Sequence, residues 1–170
     1  MKLRNVLMLT LVVASLALTG CASKKKQADS TGELESTEYN GANNGMNFEL
    51  NGDSDSQRAG SLKTVYFAYS SSALTGSTLE ALEANAEALK ANPSLKIQVE
   101  GHCDERGSVE FNLALGEKRA ASVRDYLISN GIAASRISTI SLGKEKPMAF
   151  GHDEDAWSKN RRANFVITEK

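Results

Sequence analysis

Apolar and polar positions change texture three times along the chain. Val6 to Leu18 is almost wholly apolar, interrupted only by Thr10 and Ser15. Residues 22–62 carry no sustained apolar period, although a short strand around Met46 to Leu50 is compatible with the pattern. From Lys63 onward the apolar positions become regular. Val65-Tyr66-Phe67-Ala68-Tyr69 has the composition of a strand. Leu79, Leu82, Ala86 and Leu89 recur at helical spacing and predict an amphipathic helix from about Gly76 to Ala91. Asn92-Pro93 ends it, because a residue before proline is pushed out of the α region. Leu95, Ile97 and Val99 alternate with Lys96, Gln98 and Glu100, as in a half-buried strand. A second helix is expected over 112–130, with Ala120, Val123 and Leu127 inward and Asn130-Gly131 as its stop. Strands follow over 137–142 and 162–168. The order β-α-β-α-β-β predicts an α+β domain, a two-layer sandwich of helices on one sheet, over residues 63–170.

The first apolar run is short. Thirteen helical residues span roughly 20 Å, against about 30 Å for a bilayer core. Lys2 and Arg4 precede it and small residues end it, which is the layout of a secretory signal over residues 1–20. Leu18-Thr19-Gly20-Cys21 resembles the bacterial lipobox, in which the cysteine is joined through sulfur to diacylglycerol and becomes the first mature residue. Lipid on Cys21 would anchor the chain, since each buried CH₂ contributes about 0.8 kcal/mol. Ala22 follows it. In many bacteria an Asp there favours the inner membrane, so the resemblance points to the outer membrane.

Composition sharpens the middle segment. Residues 22–62 are rich in Ser, Asn, Gly, Asp and Glu, with four basic and seven acidic side chains. Such a stretch buries too little apolar surface to offset its ordering entropy, so residues 21–62 are expected to form a flexible tether. A flexible chain of about 40 residues has a root-mean-square reach of roughly 35 Å. The whole chain is 24% charged with a net charge of -1, which lacks the excess of Lys and Arg a nucleic-acid binder needs. With Cys21 taken by lipid, Cys103 is left without an internal disulfide partner.

Candidate chemistry concentrates in Gly101-His102-Cys103-Asp104-Glu105-Arg106-Gly107, the loop after the second strand. A nucleophilic triad needs three groups converging in space, whereas His102, Cys103 and Asp104 are sequential and alternate in direction. Zinc needs three or four ligands at recurring spacing, and calcium needs alternating oxygen ligands; the loop has neither pattern. No metal and no cofactor other than covalent lipid is expected. A bland loop, with turn glycines and solvated charges, stays open. So does a charged-ligand site. Asp104 would take an ammonium, and Arg119 on the following helix a carboxylate by a two-pronged hydrogen bond.

The residues VEGHCDERGSVEFNLALGEKRAASVRDYL resemble the signature of OmpA-like peptidoglycan-binding domains, through Gly101, His102, Asp104, Asn112, Leu115, Gly116, Arg119 and Ala120. Gly143 to Pro147 and Ser158 to Arg162 resemble the peptidoglycan-associated lipoproteins within that family, and the likeness covers residues 64–168. The resemblance implies non-enzymatic binding of the diaminopimelate in the peptidoglycan stem peptide. Asp104 would hold its ammonium and Arg119 its carboxylate, Asn112 and Leu115 would shape the pocket, and Phe67 and Arg161 would line its rim. It implies an outer-membrane lipoprotein facing the periplasm that tethers membrane to wall within the Tol-Pal system, with TolB and other Tol proteins as partners in envelope integrity and cell division. Cys103 stands where relatives often carry Thr or Ala, and Tyr69-Ser70 where many have an Asp after the aromatic. The alternatives are a Tol adaptor without wall binding and a lipid-anchored cell-wall hydrolase.

Overall fold

A computed structural model describes residues 47–170. The expected signal and the lipidation site, Cys21, lie outside the described residues. So does most of the expected tether.

Four strands form one sheet: β1 (Val65–Tyr66), β2 (Lys96–His102), β3 (Ile137–Gly143) and β4 (Arg162–Glu169), in the order β1-β4-β2-β3. β2 and β3 are parallel and joined by a helix, while β4 runs antiparallel between β1 and β2. Three α-helices are described: α1 (Ser77–Ala91), α2 (Val109–Ser129) and α3 (Glu154–Asn160). The two-layer α+β expectation holds. The third helix, between β3 and β4, adds an element that apolar spacing did not reveal.

Alternation along the strands sorts the two faces. Ile97 and Val99 of β2, with Ala163, Phe165 and Ile167 of β4, are buried in the core with Leu82 and Leu89 of α1 and Val123 and Leu127 of α2. α2 lies close on β2 because neither surface has a side chain at the crossing. A Cβ on Gly101 would overlap the carbonyl oxygen of Gly116. Glu100, Arg162 and Asn164 occupy the opposite register positions and form a polar network, Asn164 donating to Glu100 at 3.0 Å and Arg162 to Asp55 at 2.7 Å.

Asp55 belongs to the segment expected to be tether, and here the expectation fails over residues 47–62. Phe48, Ala59 and Leu62 are buried in the core. Asn51 N–H donates to the Ile167 carbonyl, Ile167 N–H to Gly52 and Ser54 N–H to Phe165, each within 3.0 Å. The segment thus continues the position of β1 along the edge of β4. Its cohesion is backbone pairing to a sheet edge plus three apolar anchors, which leaves no periodic signature. The expected strand near Met46 to Leu50 is only an isolated bridge, Phe48 to Ala59, and Met46 lies outside the described residues.

Candidate functional site

The end of β2 leads into the loop 103–108 and then α2. Cys103 N–H donates to Gly143 at 2.7 Å, prolonging the parallel pairing by one residue. Gly107 turns the chain at a φ of 92°, a left-handed conformation that favours glycine. Ser108 then caps α2, its side chain accepting from Phe111 N–H at 3.1 Å. Asn112, one turn in, donates to the Arg106 carbonyl at 2.9 Å and so ties the loop to the helix. Lys144, the residue after β3, also ties it, donating to the carbonyls of Glu105 and Gly107.

Asp104, Asn112, Leu115 and Arg119 line one pocket, together with Tyr69, Ser70, Cys103, Arg106 and Phe111. The four pocket residues expected from the sequence therefore meet. Arg119 is fully buried. It donates to the carbonyls of Ser71 (2.8 Å), His102 (2.7 Å) and Ala68 (3.1 Å), and to Cys103 Sγ (3.4 Å). Four of its five N–H donors are thereby occupied. Burial lowers its pKa from the usual value, and a guanidinium tolerates this while remaining charged.

Asp104 is 4% exposed, so it is not a solvated loop charge. Burial on its own would raise its pKa; hydrogen bonds and charge from Arg106, with a bond from Arg161, more than offset this and hold it below the usual carboxylate range. Arg106 binds it as a fork, Nε to Oδ1 at 3.1 Å and Nη2 to Oδ2 at 2.6 Å, while its backbone N–H donates to Oδ1 at 3.1 Å.

Phe67 and Arg161 are placed differently from the expected rim. Phe67 is buried, with the Arg119 guanidinium 5.1 Å from its ring centroid, so it supports Arg119 from behind. Arg161 is also buried. It reaches Asp104 Oδ2 at 3.5 Å, donates to the Phe67 carbonyl at 3.1 Å and pairs with Glu154 on α3. The residue of most consequence that the sequence does not single out is Arg106, which only the bland reading of the loop covers, among its solvated charges. Its guanidinium lies 4.0 Å from the ring centroids of both Tyr69 and Trp157. Trp157 is the single tryptophan, and the exposed aromatic Tyr69 precedes Ser70, the position at which the expected carboxylate is missing; those are the available signals.

A family model described as the OmpA family matches residues 66–161. The chain belongs to the OmpA family. A peptidoglycan-associated lipoprotein of Agrobacterium fabrum is 42% identical over 167 residues, covering 96% of this chain and 88% of the relative. The crystal structure of the peptidoglycan-associated lipoprotein from Burkholderia pseudomallei is 44% identical and covers 61% of this chain and 88% of that one, with a TM-score of 0.59. These relatives place the chain among the peptidoglycan-associated lipoproteins of the OmpA family. The C-terminal domain of Helicobacter pylori MotB shares the OmpA-like fold at 23% identity and a TM-score of 0.59, covering 64% of this chain and 85% of that one.

Proposed function

We propose that this chain binds peptidoglycan without cleaving it, through the side-chain end of diaminopimelate in the stem peptide. The observation that carries this is the meeting of Asp104 and Arg119, opposite charges, at one pocket. An ammonium and a carboxylate on one carbon match that pair. Asp104 takes the ammonium. The carboxylate approaches the remaining Arg119 donor, with Asn112 and Leu115 as walls. The names of the relatives support the wall as the source of the ligand.

Lipid on Cys21 then holds the chain at the outer membrane, with the domain in the periplasm, and wall binding makes it a tether. The same reading makes TolB the expected protein partner and places the tether in the Tol-Pal system.

A soluble chain from Ala22, lacking the lipidation cysteine, is mixed with purified sacculi, beside Asp104→Asn. Co-sedimentation of the parent, its loss in a folded Asp104→Asn protein and no released muropeptides support the tether. Equal binding by the variant removes Asp104 from the site. Released muropeptides would favour a hydrolase, and a parent that stays in the supernatant would favour a Tol adaptor.

A further inference from the structure

The site is shut by one of its own side chains. With Arg106 in place the cavity between Asp104 and Arg119 measures about 10 Å³, room for a single water. Asp104 already receives the forked guanidinium of Arg106 and a bond from Arg161, so no ammonium reaches it without displacing a cation. We propose that Arg106 is the specificity-determining residue of this pocket: its guanidinium stands in the ligand's ammonium position, and only a ligand bearing both ammonium and carboxylate displaces it. This rests on the reading of Asp104 as the ammonium acceptor.

The geometry suits a competitor that swings rather than a fixed brace. The Arg106 backbone is held independently of its side chain, because Asn112 Nδ2 grips its carbonyl. The side chain is 29% exposed, at the outer end of the site, while the Asp104 side chain is 5% exposed beneath it. Glu154 Oε2 lies 3.9 Å from Arg106 Nη2 and offers the released guanidinium a carboxylate outside the pocket. Tyr69 and Trp157 sandwich the guanidinium, and such faces stabilise a cation when it is partly desolvated. A forked guanidinium between two rings is a strong resident. A plain ammonium brings three donors and no fork, so it exchanges at a loss. A zwitterionic end recovers that loss through its carboxylate at Arg119. Arg106 thereby turns a general amine site into one that demands both charges.

The experiment is calorimetric titration of the same soluble chain with two tripeptides, L-Ala-γ-D-Glu-meso-diaminopimelate and L-Ala-γ-D-Glu-L-Lys. The second keeps the side-chain ammonium and lacks the carboxylate beside it. The parent is expected to bind the first and not the second. Arg106→Met keeps an unbranched apolar stem between the rings and removes the fork. It is expected to bind the diaminopimelate peptide about tenfold tighter and to gain binding of the lysine peptide, since the competent fraction is no longer reduced by the internal competitor. Arg106→Lys, which retains charge, is the second variant should the methionine protein fail to fold, and its gain is expected to be smaller but in the same direction. Binding of the diaminopimelate peptide that is unchanged or weaker in folded Arg106 variants overturns the gate alone, provided Asp104→Asn abolishes binding in the parent. If Asp104→Asn binds like the parent, or if neither parent nor Arg106 variants bind either peptide, the ammonium assignment falls and the gate with it.

Discussion

Arg119 is a ligand group in the proposed function and a cross-brace in the fold, and the second role is the more exposed to mutation. Its bonds join the loop after β1, through Ala68 and Ser71, to the end of β2 at His102. Replacing it with alanine leaves those carbonyls without their donor, at about 1–3 kcal/mol for each group that stays buried. Arg119→Ala should therefore lose at least about 1 kcal/mol of stability in urea unfolding, from the buried His102 carbonyl alone; an unchanged midpoint would show that the brace carries nothing. Loss of wall binding in that variant would say little about the ligand, which is why Asp104→Asn is the informative substitution. Asp104 has a depressed pKa, so its contribution to stability is present above its ordinary value of 3.8 and is lost as pH falls through its lower folded value. The stability difference between parent and Asp104→Asn should be constant at neutral pH and shrink only below pH 3.8. A difference that already shrinks between pH 6 and 5 would mean that Arg106 and Arg161 do not hold the carboxylate as described.

The elements explain what could be read in advance. β2 was legible because Ile97 and Val99 are buried while Lys96 is exposed. The core face of α2 is legible through Ala120, Val123 and Leu127, but the helix starts three residues before the expected 112. Val109 and Phe111 are exposed, so the first turn of α2 has no buried period; the Ser108 cap and Glu110 in that turn are the local signs of it. α3 has seven residues with two buried, too few for a period, although Asp153 capping it and Glu154 and Asp155 in its first turn are a start signal. The crossing of α2 over β2 depends on Gly101 facing Gly116. Gly101→Ala would force the helix away from the strand and should cost about 1–3 kcal/mol by urea unfolding, as overpacked cores do. α3 and the site loop are also latched at the surface. Glu105 Oε1 accepts from His152 Nδ1 at 2.7 Å and from Trp157 Nε1 at 2.9 Å. The His152 pKa is raised by Glu105, and that of Glu105 is lowered by His152 and Trp157. The raised histidine contributes fully below 6.5 and its share is lost as pH rises through its higher folded value. The lowered carboxylate contributes above 4.5 and its share is lost as pH falls through its lower folded value. The latch is thus complete between these ordinary values. Trp157 fluorescence should titrate above pH 6.5 in the parent and not in His152→Ala. Identical titrations would remove His152 from the latch.

At the scale of the molecule, the packed segment 47–62 changes where the domain begins and how a tether would load it. Its first described residues lie at the far end of β4, where Lys170 Nζ donates to the Phe48 carbonyl at 3.3 Å. The pocket lies off the opposite end, at Asp104 and Arg161. β4 has eight residues, so under the proposed function a pull between anchor and wall would run along a strand roughly 25 Å long, parallel to its hydrogen-bonded edges. The segment holds that edge by backbone pairing to Phe165 and Ile167 and by Asp55, whose partner Arg162 is almost fully buried. Removing Asp55 leaves a buried guanidinium without its counter-charge, and Asp55→Ala should destabilise the domain by about 3 kcal/mol. A chain that starts at residue 57 loses Phe48 and the edge pairing as well, and should unfold at lower urea still. Neither change touches the pocket, so the folded fraction of both proteins should bind sacculi as the parent does. Sedimentation with sacculi at low temperature, beside urea midpoints, separates the two properties. If Asp55→Ala lost binding while its midpoint stayed put, the edge segment would belong to the recognition surface and not to the mechanical frame behind it.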